Sequence, residues 1–120
     1  MSSPVAPVVA GAARAPVRTV EILERSGGRI EVNGALTFAT ARKARQQGLH
    51  LLSVSSVREL EVDCSGVSAA DSAGLAVLLD WLASAKRAHR SLQLRNLPEP
   101  ILAVAQISDV AEMLEAGVSP

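Results

Sequence analysis

Aromatic side chains are almost missing from this chain. Only 2% of its 120 residues are aromatic: Phe38, Trp81 and no tyrosine. Base-stacking platforms and aromatic cages need several rings on one surface, so both are nearly excluded. Cysteine is just as scarce. Cys64 stands alone, so no internal disulfide can form, and a lone thiol fits a reducing compartment. There is no excess of charge: 12 Lys+Arg stand against 12 Asp+Glu. A general nucleic-acid binder needs a basic surplus to neutralise phosphates, and that class is set aside. No apolar stretch approaches the ~20 residues of a membrane-crossing helix, so direct insertion is not expected. What the chain does have is 48% apolar residues, enough for a core in one small domain.

The first residues read differently from the rest. Residues 1–16 are rich in Ala, Pro and Val, lack a basic start, and carry Pro4 and Pro7 within the apolar run. A secretory signal does not fit. A disordered tail does, because proline and small side chains bury too little surface to offset chain entropy. The folded domain is expected over residues 17–116, with 117–120 as a C-terminal tail.

Periodicity orders the elements. Val17–Glu24 reads as a strand, Ser26-Gly27-Gly28 as a hairpin turn, and Arg29–Asn33 as a second strand with Ile30 and Val32 on one face. Thr37 is placed to cap a helix from Phe38 to about Gln47, with Phe38, Ala41 and Ala44 inward and Arg42, Lys43 and Gln46 outward. Leu60–Cys64 is a third strand, followed by a polar turn. A long helix then runs from about Ala73 to His89, with Leu75, Leu78, Leu79 and Leu82 as its inner stripe. Ser91–Leu94 is the last strand. Pro98 opens a helix carrying Ile101, Leu102 and Ala105. Asp109 and Glu112 are spaced as a capping box for a short final helix that Gly117 ends. The fold class is α/β: a four-stranded mixed sheet with helices packed against it, the last two strands parallel.

Few patterns point to catalysis. Cys64, His50 and His89 are widely spaced and form no metal motif, so no metal is expected. GxSxG, GxGxxG and GxxxxGK[ST] are all absent, which argues against a hydrolase, against nucleotide cradling and for a chain without cofactors. The informative stretch is Asp63-Cys64-Ser65-Gly66-Val67-Ser68-Ala69-Ala70-Asp71-Ser72-Ala73-Gly74-Leu75. In its plainest reading, Asp71 or Ser72 is an N-cap and Gly74 permits close packing. In a functional reading, the Ser72 hydroxyl is offered at a positive helix end beside a carboxylate. A phosphate there would add about −1.5 to −2 charge. The helix dipole would favour it by about 0.3–1 kcal/mol while Asp71 opposed it.

That strand–turn–helix stretch, extended to VDCSGVSAADSAGLAVLL, resembles the signature of the STAS domain. Glu31–Thr37 resembles the family's earlier strand-and-turn motif, and Leu94–Pro100 with the segment to Leu114 resembles its closing half. The resemblance implies a non-enzymatic interaction domain, and two branches of the family fit. In the anti-sigma factor antagonists, a partner kinase phosphorylates the serine that corresponds to Ser72. In the MlaB-like subunits of Mla phospholipid-trafficking ABC transporters, the domain binds and supports the cytoplasmic ATPase (MlaF-like) and so contributes to lipid asymmetry. The GALTF form at Gly34–Phe38 and the NLPEPILAVA run resemble the MlaB branch, whereas the antagonists carry acids where Ala35 and Thr37 stand. The expected partner contact is Asp71, Ser72 and Ala73, with Thr37 and Phe38 as its rim. Val77 and Trp81 are assigned to the docking face, although Trp81 equally suits a seam between helices. The chain would be cytoplasmic, held at the inner membrane only through its partner.

Overall fold

Strand-forming alternation accounts for the sheet, and helical spacing for one of its faces. A computed structural model of the chain describes residues 19–120. β1 (Val20–Arg25) and β2 (Arg29–Leu36) form an antiparallel hairpin. A 3-10 turn at Ser26–Gly28 joins them, with Gly27 and Gly28 both at positive φ, a conformation costly for other residues. α1 (Ala41–Val54) leads to β3 (Glu59–Ala70), which lies parallel to β2. α2 (Ser72–Arg87) leads to β4 (Ser91–Arg95), parallel to β3 with Leu60 opposite Leu92 and Val62 opposite Leu94. α3 (Glu99–Ile107) and α4 (Ala111–Ala116) complete the chain. The sheet order is β1-β2-β3-β4, the mixed four-stranded arrangement expected from the sequence.

The two faces of the sheet have opposite characters. Ile30, Val32, Leu60, Val62, Cys64, Leu92 and Leu94 point into a core closed by Ala44 and Leu52 of α1, Leu75, Leu78 and Leu82 of α2, Ile101 of α3 and Leu114 of α4. The alternate positions carry ion pairs: Arg25–Glu31 at 3.2 Å, Arg29–Asp63 at 2.8 Å and Arg95–Glu61 at 2.7 Å. The exposed pairs among these, Arg25–Glu31 and Arg95–Glu61, add about 0–1 kcal/mol each, so apolar burial on the helical side holds most of the fold.

Several expectations are corrected. β3 does not stop at Cys64. Two register shifts against β2, between Glu31 and Asn33 and between Gly34 and Ala35, carry it on to Ala70. The Ser- and Gly-containing stretch that reads as a turn is therefore bulged strand. α1 begins at Ala41, not Phe38, and continues past Gly48 to Val54. Gly48 survives mid-helix because the Trp81 ring lies where its Cβ would be. Leu79 is only partly buried. Asp109 sits at φ 62 and caps nothing; α4 starts two residues later with no side-chain cap. Residues 117–120 include Val118, whose N–H and C=O both pair with Leu92 on the free edge of β4. The tail expected over residues 1–16 lies outside the described residues.

Candidate functional site

β2, β3 and the head of α2 converge at one end of the sheet. Leu36, the last residue of β2, pairs with Ala70, the last of β3, and the Leu36 carbonyl accepts the Asp71 N–H at 3.4 Å. Gly74 brings the first turn of α2 against that carbonyl; a Cβ at this position would collide with the Leu36 backbone. Sheet geometry thus fixes where α2 begins.

Asp71 is the N-cap. Its Oδ1 accepts from the Ala73 N–H at 2.9 Å and the Gly74 N–H at 3.3 Å. Its Oδ2 accepts from the Phe38 N–H at 3.0 Å. One carboxylate therefore ties the head of α2 to the 37–40 turn. An N-cap of this type contributes about 0.5–2 kcal/mol, and the bond to Phe38 adds cross-element positioning. Because Asp71 does the capping, the Ser72 hydroxyl is left over. Ser72 is the first residue of α2 and is exposed.

Thr37 is not a helix cap. Its N–H donates to Thr40 Oγ1 at 3.0 Å, and the Thr40 hydroxyl in turn donates to the Ala35 carbonyl at 2.8 Å. Thr40, 3% exposed, is the buried pin of this turn. Phe38, expected on the inner stripe of α1, lies before the helix and is 85% exposed. Asp71, Ser72, Ala73, Thr37 and Phe38 are thus gathered around one surface. Val77 and Trp81 are not part of it. They are 4% and 1% exposed, and the Trp81 Nε1–H donates to the Arg45 carbonyl at 3.4 Å. The assignment of these two to a docking face is corrected: Trp81 fills the seam between α1 and α2, where a large ring gains most from burial.

Two groups outside the expected partner contact stand out. Arg42 and Lys43 occupy the first turn of α1, which holds no acid. Cations there oppose the positive helix end, a placement that costs about 0.3–1 kcal/mol each. On the outer face of the sheet, Asp63 is 7% exposed. It accepts from Asn96 Nδ2 and from the Ser65 N–H, both at 2.9 Å, and from Arg29 at 2.8 Å. The Asn96 bond most, then the Ser65 N–H, hold its carboxyl far below the usual range against the opposing effect of burial. Asn96 adopts φ 57, so this cluster anchors the end of β4. With its lone pairs engaged, Asp63 is structural.

Burial, with the Asp63 charge beside it, pushes the Cys64 thiol up to about 12, so it is a poor nucleophile. No three His, Cys, Asp or Glu side chains cluster as a metal site among the described residues. No helix among them is long and apolar enough to cross a membrane.

Comparisons with known proteins agree with this architecture. No curated protein matches the sequence. Among solved structures, the chain is similar to the anti-sigma factor antagonist SpoIIAA in its unphosphorylated form. The TM-score is 0.57 at 14% identity, over 74% of this chain and 83% of that one; at such identity the likeness is one of fold. The family model described as "Mlab, STAS domain" matches residues 20–115, which span every element from β1 to α4 but for the last residue of α4. With that match, and with a fold shared with SpoIIAA, the chain belongs to the Mlab-type STAS domain family.

Proposed function

We propose that this chain is a non-catalytic STAS subunit that binds and supports the cytoplasmic ATPase of an Mla-type phospholipid-trafficking ABC transporter. It would lie in the cytoplasm and reach the inner membrane only through that partner. The observation that carries the reading is the exposed Ser72 at the head of α2, relieved of capping by Asp71 and flanked by the exposed Phe38. A short hydroxyl beside a solvent-facing ring is a small polar-and-apolar contact suited to a protein partner. The Mlab description of the matching family supports this branch.

Co-expression with the ATPase of a neighbouring transporter operon tests it. The two should co-purify, and Ser72→Asp should abolish the complex while leaving the circular dichroism spectrum unchanged. Undiminished binding by Ser72→Asp removes the residue from the contact.

A second reading is an anti-sigma factor antagonist switched by a kinase at Ser72. It is favoured by the fold likeness to SpoIIAA, whose described form is the unphosphorylated one, and by the accessibility of Ser72. Phosphate on Ser72 in protein purified from its own cells, with an anti-sigma kinase bound, would establish this reading in place of the first.

A further inference from the structure

An open groove of about 640 Å³ runs between α1 and α2, beginning at Ala73 beside Ser72. Its apolar lining is Ala41, Ala73, Ala76, Val77 and Leu79, and the paired Arg45 and Asp80 also line it. Its charge is one-sided. Arg42 and Arg45 line it against the single acid Asp80, and Lys43 follows Arg42 in the first turn of α1. The nearby carboxylates are already engaged: Asp80 by Arg45, and Asp71 by three backbone N–H groups. Arg42 and Lys43 have no carboxylate partner among the described residues. Both stand at a helix end whose own field repels them, so an external anion would relieve two unfavourable terms at once.

We infer that this groove receives an acidic, apolar-tipped segment of a protein partner. Carboxylates of the segment meet Arg42 and Lys43, and a bulky aliphatic or aromatic side chain fills the alanine-lined floor. The inference rests on the docking reading above and adds the chemistry of the partner's contacting surface. A protein segment fits better than a lipid surface. The unpaired cations here, Arg42 and Lys43, number two, not the roughly four to eight of a lipid-binding cluster, and Arg42 borders a concavity that a flat bilayer leaves unfilled.

The test uses the full chain labelled with 15N and three probes: an amphipathic Glu/Leu helical peptide, a Lys/Leu peptide of equal length, and phosphatidylglycerol vesicles. The Glu/Leu peptide should shift resonances of residues 38–45 and 73–80, and the Lys/Leu peptide should not. The double variant Arg42→Glu/Lys43→Glu should weaken that binding by roughly tenfold or more, the scale of close interfacial charge pairs. Ala76→Glu, which places an acid in the floor at an exposed position, should weaken it as well. The inference is overturned by no shift, by shifts elsewhere, by equal response to both peptides, or by variants that bind as tightly as the parent. Binding to vesicles without binding to the peptide overturns it in favour of a lipid surface. Its failure is separable from that of the docking reading. An ATPase complex that tolerates the Arg42/Lys43 reversal sinks only this inference; peptide binding without any ATPase complex sinks only the other.

Discussion

α1 and α2 lie side by side over the same core, and they obey local helix rules to very different degrees. α2 has an Asp71 cap, a glycine where its first turn meets the sheet, and Lys86 and Arg87 in its last turn. The cap and the closing cations agree with the intrinsic preferences of a helix, and Gly74 gives up some helix propensity for its close approach to the sheet. α1 has no side-chain cap, cations where acids belong, and Gly48 in its interior. Some of these departures have a packing cause: the Thr40 hydroxyl is spent on Ala35, and Gly48 makes room for Trp81. The cations Arg42 and Lys43 have none within the fold. Local rules broken without a structural return tend to mark surfaces kept for another purpose.

The comparison can be broken most decisively at the seam. Trp81→Ala should destabilise the protein by about 3–5 kcal/mol, measured by urea unfolding followed by circular dichroism. A small loss would show that α1 and α2 do not depend on the ring. Gly48→Ala comes next. Helix propensity alone would add about 1 kcal/mol of stability. The Cβ meets the indole, so we expect a net loss of about 1–3 kcal/mol from overpacking. In a Trp81→Ala background the same change should become stabilising, and a double-mutant cycle reads that reversal of sign. Asp71→Ala should cost about 0.5–2 kcal/mol and loosen the 37–40 turn, visible as faster amide exchange at Phe38. Unchanged exchange there would dissolve the link between α2 and the turn. Smallest of all, Arg42→Glu and Lys43→Glu should each raise stability by about 0.3–1 kcal/mol at low salt. A loss instead would mean that these cations do serve the fold.

Much of the architecture was legible from residue pattern. Ile30/Val32, Leu60/Val62 and Leu92/Leu94 alternate with polar neighbours, and the leucines of α2 recur at helical spacing. Both signals are local and strong. The end of β3 was not legible. Ser65, Gly66 and Ser68 have turn composition, and only pairing with β2 through two bulges makes them strand. The start of α1 lies later than the position of Thr37 implies, because the tertiary bond from Thr40 to Ala35 holds residues 37–40 as a turn. At the candidate site, Asp71 and Ser72 stood out from their position before an apolar helix. The burial of Trp81 did not, since a helical wheel cannot say which side a second helix will cover. The unfavourable placement of Arg42 and Lys43 at the head of α1 could have been read from the acid-free run around them.

The shared carboxylate of Asp71 has one more consequence. By gripping both the head of α2 and the backbone of Phe38, it ties the main chain of the 37–40 turn to the first turn of the helix. The backbone around the proposed contact is thereby held in one arrangement, so a partner docking there would lose little binding energy to ordering that turn.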